Sequence, residues 1–129
     1  MVLVDSSFWI SFEHGRVRFD DHVPQNVLVA TCPAVVMEVV RGARDRERTV
    51  AAYDLLMNVT MLDAPTPLAR FEAAARIYAQ CRVDGVTPGS IDCLIAATAI
   101  AYELPVLHLD GDFELIARSI PTLRTFTRS

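Results

Sequence analysis

Lysine is absent from this 129-residue chain, in which all 12 basic residues are arginine. Without a lysine, the chain does not have the phosphate-binding residue that a receiver-type phosphoryl-transfer site needs. Arginine suits bidentate contacts with phosphate. A compositional bias of the source genome explains the same preference, so the arginines alone do not identify a partner.

Cysteine is scarce, and long apolar runs are missing. Cys32, Cys81 and Cys93 are odd in number and form no C-x-x-C pair, which predicts buried reduced thiols instead of disulfides or a zinc site. The most apolar stretch, residues 93–101, is far shorter than the roughly 20 residues of a spanning helix. The first residues lack a basic segment before an apolar run, so we expect no signal peptide, no membrane contact and a cytoplasmic location.

Apolar residues are abundant and make up 52% of the chain. This length and composition predict one folded domain over residues 1–129. Short apolar runs predict strands, and helical patterns alternate with them. The predicted strands are 2–4, 27–30, 59–62, 106–109 and 123–126. The predicted helices start at Asp5–Ser7, Pro33, Asp45, Pro67, Ser90 and Asp112. This alternation predicts an α/β fold with helices on both faces of a parallel sheet.

The helix predicted over residues 67–83 has apolar side chains at helical spacing, which predicts an amphipathic helix. These positions are Leu68, Phe71, Ala75, Tyr78 and Ala79. The next helix, which Ser90 is expected to cap, is apolar nearly all round and is therefore predicted to be buried.

Several carboxylates occupy positions that a parallel sheet would bring together. Asp5 follows the first strand, and Asp110 and Asp112 follow the strand at 106–109. Glu38 interrupts an apolar helical run, and Asp92 lies in the first turn of the buried helix. Sites in such sheets form beyond the carboxyl ends of the strands. Each acid also has a local explanation, as a helix cap, a turn residue or the partner of Arg41.

Taken together, these acids favour a metal site. Carboxylates within a few ångströms of one another raise each other's pKa and destabilise the fold, and a divalent cation removes that conflict. Oxygen ligands favour Mg²⁺ or Mn²⁺ over zinc, and such sites suit phosphodiester hydrolysis. The net charge of −4 argues against a nucleic-acid partner, but bound cations reverse the local sign.

The motifs around these acids resemble those of PIN-domain proteins, and specifically the VapC toxins of toxin–antitoxin pairs. The resemblance covers the whole chain and rests on four motifs in the same order: VDSS at 4–7, EVVRG at 38–42, SIDCLIAATA at 90–99 and LDGDF at 109–113. It implies a Rossmann-like parallel sheet and a Mg²⁺-dependent endoribonuclease in which Mn²⁺ can replace Mg²⁺.

The resemblance also implies roles for individual residues. It assigns the acidic quartet to Asp5, Glu38, Asp92 and Asp110, with Asp5 and Asp92 as the most direct metal ligands and Asp112 as a further candidate. Ser6 is an accessory candidate that would bind a water of the centre, and a helix cap explains it equally well. His108 departs from the family pattern, which often has Thr or Ser there, and we expect a core or edge histidine.

Partners follow from the same resemblance. It implies an RNA substrate, a homodimer and a cognate antitoxin. Arg41 and Arg44 are candidate contacts to the RNA backbone, and a solvated helix face is the alternative. The aromatic residues proposed for protein contacts, each of which ordinary core packing also explains, are Phe8, Trp9, Phe12 and Tyr53.

Other functions remain open at this point. A haloacid-dehalogenase-type phosphotransferase is excluded, because it would need a second Asp two residues after Asp5, where Ser7 stands. A non-catalytic PIN-like module that binds protein or RNA, and a PIN nuclease of RNA maturation, are the alternatives to the toxin.

Overall fold

The computed structural model describes residues 1–126, so the last three residues of the predicted domain lie outside the described part. The strands are β1 (Val2–Val4), β2 (Val29–Thr31), β3 (Thr60–Met61) and β4 (Val106–Leu107). The α-helices are α1 (Ser6–Glu13), α2 (Pro33–Arg41), α3 (Arg46–Met57), α4 (Leu68–Val83), α5 (Ser90–Ala101) and α6 (Asp112–Ser119). A 3₁₀ turn spans Phe19–Asp21.

The four strands form one parallel sheet in the order β3-β2-β1-β4. Every connection between consecutive strands contains at least one helix, as parallel pairing requires. All three residues of β1 are fully buried, although neighbouring side chains on a strand point to opposite faces. Both faces of the central strand are therefore covered, and the predicted α/β architecture is confirmed.

Local chemistry explains where the helices begin. Asp5 caps α1, because its side chain accepts a hydrogen bond from the Ser7 backbone N–H. Pro33 is the first residue of α2, where its missing N–H costs nothing. Ser90 was expected to cap α5 but is its first helical residue, and extended Gly89 holds the cap position without a side-chain bond. Asp92 is consequently the third residue of the helix.

Two strand predictions need correction. The predicted strand at 27–30 is β2 at Val29–Thr31, two residues later at its start, because pairing of Val2 with Val29 sets the register. The predicted strand at 123–126 is a single bridge between Thr125 and Val106. Two backbone hydrogen bonds make that bridge, and no ladder continues on either side within residues 1–126.

The predicted apolar stripe of α4 is not its buried face. Leu68 and Phe71 are 73% and 51% exposed. The buried side chains of α4 are Ala74, Ile77 and Cys81, which lie on the neighbouring stripe at the same helical spacing. Most of them are small, and α4 packs more extensively on α5 than any other pair of elements packs together. The stripe with the smaller side chains is therefore buried, because it allows α4 to pack closely against α5.

A buried ion pair fixes α4 at its first turns. Asp63, in the link after β3, accepts hydrogen bonds from Arg70 Nε at 2.6 Å and from the Tyr102 hydroxyl at 2.8 Å. The Arg70 guanidinium also lies over the Tyr102 ring. These hydrogen bonds hold the pKa of Asp63 below its usual value, with Arg70 as the largest cause.

The segment between α1 and β2 is anchored by aromatic rings. Phe19 packs against Phe8, Trp9 and Phe12, with ring centroids 4.8 to 5.0 Å apart. Phe8 and Trp9 are buried, and Phe12 is half-buried in this cluster. Core packing is therefore the role of these three rings. Among residues 1–126, no helix is long and apolar enough to cross a membrane.

Candidate metal centre

Four elements bring the predicted acids to one edge of the sheet. Asp5 directly follows β1, and Asp110 lies in the turn after β4, the neighbouring strand. Asp92 is in the first turn of α5, and Glu38 lies one turn before the end of α2. Helix α2 packs on α1, which places Glu38 beside Ser6. The convergence predicted from the sequence is therefore present.

The carboxylates form two overlapping groups that share Asp92. In one group, oxygens of Asp5, Glu38 and Asp92 lie within 4.8 Å of one another. In the other, oxygens of Asp92, Asp110 and Asp112 meet the same limit. Asp5 is only 2% exposed, and Glu38 and Asp92 are half-buried. This spacing permits one cation in either group or two cations that share Asp92.

Asp110 and Asp112 both belong to the cluster. The Asp112 backbone N–H donates to Asp110 Oδ1 at 3.0 Å, which folds the Asp-Gly-Asp turn so that both side chains approach Asp92. The sequence left open which of the two is the fourth acid. The geometry places the carboxylates of Asp110 and Asp112 in the same group as that of Asp92, so both are candidate ligands.

Burial and mutual repulsion dominate the electrostatics. Burial, the largest cause, and the charges of Asp5, Glu38, Asp110 and Asp112 together raise the pKa of Asp92 to about 7. Burial also raises the pKa of Glu38, while the Ser6 hydroxyl opposes that rise. In the described part of the chain, none of the five acids forms a salt bridge. The cluster therefore holds negative charge that no described basic residue pairs at contact distance, although the more distant charge of Arg41 opposes the rise in the pKa of Glu38.

Two adjacent hydroxyls organise Asp5. Ser6 Oγ donates to Glu38 Oε1 at 3.0 Å and lies 3.4 Å from Asp5 Oδ1. Ser7 Oγ donates to Asp5 Oδ2 at 2.8 Å and accepts a bond from the Leu109 backbone N–H at 3.0 Å. Ser6 was predicted as an accessory residue, and Ser7 was missed. The signal for Ser7 was its position two residues after an N-cap aspartate, where a hydroxyl can reach the cap side chain.

His108 lies at the edge of this region, as expected. Its side chain is 9% exposed, its ring packs on Phe113, and its Nε2 is 3.1 Å from Glu114 Oε1. Among residues 1–126 it makes no hydrogen bond or ion pair with the five acids, and its Nδ1 is buried there without a hydrogen-bond partner.

The residues predicted to contact partners differ in exposure. Arg41, the last residue of α2, is exposed one turn beyond Glu38, and Arg44 is exposed in the link to α3. Tyr53 is 48% exposed and lines an apolar groove of about 620 Å³ together with Met37, Met57 and Arg41. Of the four aromatic residues predicted as contact surfaces, Tyr53 alone is exposed.

The donor set fits a hard divalent cation. Every candidate ligand is a carboxylate oxygen, and the groups gather without a paired basic residue, so a bound cation would remove the repulsion that raises the pKa of Asp92. Cysteine and histidine, the ligands typical of zinc, are absent from both groups.

Comparisons with known proteins agree with this architecture. The PIN domain family model matches residues 2–119. Ribonuclease VapC11 of Mycobacterium tuberculosis is 33% identical over 125 residues, which cover 92% of each chain.

Solved structures share the fold. VapBC-5 of Mycobacterium tuberculosis, a member of the VapBC family of toxin–antitoxin systems, matches with a TM-score of 0.73 at 19% identity, over 98% of each chain. VapBC2 of Rickettsia felis, bound to a promoter DNA fragment, matches with a TM-score of 0.75 at 16% identity, over 97% of each chain. The family model and the 33% identical relative decide the assignment: this chain belongs to the PIN domain family, and within it to the VapC ribonucleases.

Proposed function

We propose that this protein is a Mg²⁺-dependent endoribonuclease, the toxin of a toxin–antitoxin pair. The observation that carries the proposal is the convergence of four carboxylates around a fifth, the shared Asp92, without a salt bridge to any of the five in residues 1–126. A fold gains no stability from such a cluster unless a cation occupies it. The relative named as a VapC ribonuclease supports RNA as the substrate.

Asp5 and Asp92 would be the most direct ligands of the cation. Glu38 completes one group of oxygens, and Asp110 and Asp112 complete the other. Mg²⁺ is proposed because the ligands are all carboxylate oxygens, and Mn²⁺ should replace it for the same reason. A bound cation of this kind polarises the scissile phosphate and lowers the pKa of water.

The chain's own residues would orient the reactants. Ser6 holds the Glu38 carboxylate by a hydrogen bond, and the Asp112 N–H holds that of Asp110. Glu38 and Asp110 would position a water opposite the leaving oxygen. In-line attack of this water on phosphorus then breaks the P–O3′ bond and leaves a 5′-phosphate and a 3′-hydroxyl.

Arg41 and Arg44 are proposed to contact the RNA backbone near the scissile phosphate. Both are exposed near the end of α2, and neither forms a salt bridge to another described residue. Exposed guanidinium groups without a salt bridge suit phosphate oxygens. With RNA as the substrate, the proposed place of action is the cytoplasm.

The proposed protein partners are a cognate antitoxin and a second copy of the chain. Structural neighbours that are VapBC complexes support the antitoxin. Exposed apolar side chains of α4, chiefly Leu68 and Phe71, support a homodimer, because a lone monomer rarely exposes such a stripe. A groove of about 510 Å³ lies beside them and is lined by Phe71, Tyr78 and Ile91.

The test is cleavage of structured RNA by protein purified without its partner. We expect cleavage with Mg²⁺, none with EDTA, and at least a ~100-fold loss of rate for Asp92→Asn, since one metal ligand is removed. Asp54→Asn is the matched control, because Asp54 is exposed on α3 and forms no salt bridge within residues 1–126. Cleavage that survives EDTA or Asp92→Asn contradicts the metal centre, and no cleavage of any RNA favours a non-catalytic binding module.

A further inference from the structure

Ser7 makes three hydrogen bonds at the junction of two strand ends. Its hydroxyl donates to Asp5 Oδ2 at 2.8 Å, and its backbone N–H donates to the same oxygen at 3.1 Å. The backbone N–H of Leu109, 102 residues later in the chain, donates to Ser7 Oγ at 3.0 Å. The hydroxyl therefore bridges the carboxylate that follows β1 and the turn that follows β4.

These bonds make the two oxygens of Asp5 unequal. Oδ2 receives both donors of Ser7, whereas Oδ1 has, among the described residues, only the Ser6 hydroxyl at 3.4 Å. Hydrogen bonds to an ionised carboxylate are short and strong, so they fix the rotation of the Asp5 carboxylate. Oδ1 is then the oxygen that remains for a cation.

We propose that Ser7 is a positioning residue of the metal centre: its hydroxyl orients Asp5 and holds it in register with the turn that carries Asp110. The inference rests on the proposed function only in requiring that the centre bind a divalent cation. Leu109 precedes Asp110, and Asp110 is itself held by the Asp112 N–H. A continuous set of bonds thus runs from Asp5 through Ser7 to both acids of the Asp-Gly-Asp turn.

Helix capping does not account for the hydroxyl. The cap of α1 is the bond from the Ser7 backbone N–H to Asp5, and any residue except proline at position 7 supplies that N–H. The bond from Leu109 connects α1 to the opposite end of the chain and adds nothing to the helix. Ser6, its neighbour, instead reaches Glu38 on α2. The two serines therefore tie Asp5 to different parts of the centre.

The experiment compares Ser7→Ala, Ser7→Thr and Ser7→Val, since threonine and valine differ only in the hydroxyl. Ser11→Ala is the control, because Ser11 lies one turn further along α1, is half-buried, and its hydroxyl has no hydrogen bond to another described residue. Mn²⁺ affinity is measured by electron paramagnetic resonance on partner-free protein. The values of kcat and KM are measured on RNA, and thermal unfolding is measured in EDTA.

We expect Ser7→Ala and Ser7→Val to bind Mn²⁺ about 10-fold or more weakly, as is usual when the partner of a ligating carboxylate is lost. Their kcat should fall while KM for RNA stays unchanged, because Ser7 orients an acid and does not touch RNA. Ser7→Thr should restore both values, and Ser11→Ala should match the wild type.

Several outcomes overturn the proposal. It is wrong if Ser7→Ala and Ser7→Val bind Mn²⁺ like the wild type, or if the wild type binds no Mn²⁺. It is also wrong if both variants fail to fold while Ser7→Thr folds, since the hydroxyl then serves the fold alone. If the wild type binds Mn²⁺ but cleaves no RNA, the proposed function fails, and the Mn²⁺ affinities still decide the role of Ser7.

Discussion

Asp92 is the residue on which the centre depends, because it belongs to both groups of carboxylates. In metal-free protein its charge is opposed by burial and by four other acids, which raise its pKa to about 7. Asp92→Asn removes that charge and keeps the shape. We expect the variant to gain on the order of 1–2 kcal/mol in free energy of unfolding in EDTA, after allowance for solvent screening of a half-buried group. Urea denaturation measures it, and a loss of stability would contradict the repulsion.

The same shift predicts a pH dependence. The pKa of Asp92 is raised from 3.8 to about 7, so folding favours its protonated form. The contribution of the protonated Asp92 side chain to the free energy of unfolding is present below about pH 4. It is lost as the pH rises through 7, where Asp92 ionises in the folded protein. The stability difference between Asp92→Asn and the wild type, both in EDTA, should therefore be near zero at pH 4 and complete at pH 8. A difference that is the same at both values would show that charge is not its cause.

The acids were predictable from the sequence, and their hydrogen-bond partners were not. Asp5 and Asp110 directly follow apolar runs, and Glu38 interrupts one, so their positions alone predicted a polar site. Ser7 was passed over because its decisive partner, Leu109, is 102 residues away and becomes a neighbour only when β4 pairs with β1. The sequence allowed Phe8 and Trp9 to be either surface residues that contact a partner or residues of the core. Only the tertiary structure distinguishes these two roles.

At the scale of elements, helix α4 shows what periodicity cannot decide. Two stripes of α4 have apolar side chains at helical spacing, and the stripe with the larger ones, Leu68 and Phe71, is exposed. Hydrophobic period locates a helix, but two competing stripes leave its rotation open. The contact with α5, the hydrogen bonds of Arg70 to Asp63, and the stacking of its guanidinium over the Tyr102 ring settle that rotation. Neither is visible in the spacing of one helix.

The Arg70–Asp63 pair should therefore matter for stability more than for activity. Asp63 has a side chain 3% exposed and Arg70 one 18% exposed, so Arg70→Ala leaves a buried carboxylate with the Tyr102 hydroxyl as its remaining strong donor. We expect a loss of about 3 kcal/mol in free energy of unfolding. Arg76→Ala is the control, because Arg76 is exposed on the same helix and forms no salt bridge within residues 1–126. Equal effects of the two changes in urea denaturation would contradict the role of the pair.

At the scale of the whole molecule, a net charge of −4 conceals an uneven distribution. Five acids meet at one edge of the sheet, while Arg41 and Arg44 stand exposed beside it. Each phosphate contact to single-stranded RNA contributes about 0.7 to the slope of log K against log salt. Replacing both arginines by alanine should lower that slope by about 1.4. Fluorescence titration with catalytically inactive Asp92→Asn as the background measures it. The exposed pair Arg76 and Arg118 is the control. An equal change of slope when these two are replaced would contradict a specific contact of Arg41 and Arg44 with the RNA backbone.

The cation should stabilise the fold as a unit. The five acids come from residues 5, 38, 92, 110 and 112, so the unfolded chain has no equivalent site and binding acts on the folded state alone. Mg²⁺ at 100 times its dissociation constant should add about 2.7 kcal/mol to the free energy of unfolding.

Because the ligands come from α2, α5 and the turns after β1 and β4, we expect the gain as a single cooperative shift of the thermal transition. Asp92→Asn should be more stable than the wild type in EDTA and less responsive to Mg²⁺, so the two melting curves should approach or cross as Mg²⁺ is added. The Asp54→Asn control should shift like the wild type. Repulsion in the empty centre and attraction in the filled one arise from the same charge, but the two explanations have separate tests: an Asp92→Asn variant that kept the full Mg²⁺ response would contradict Asp92 as a ligand, and one that gained no stability in EDTA would contradict the repulsion.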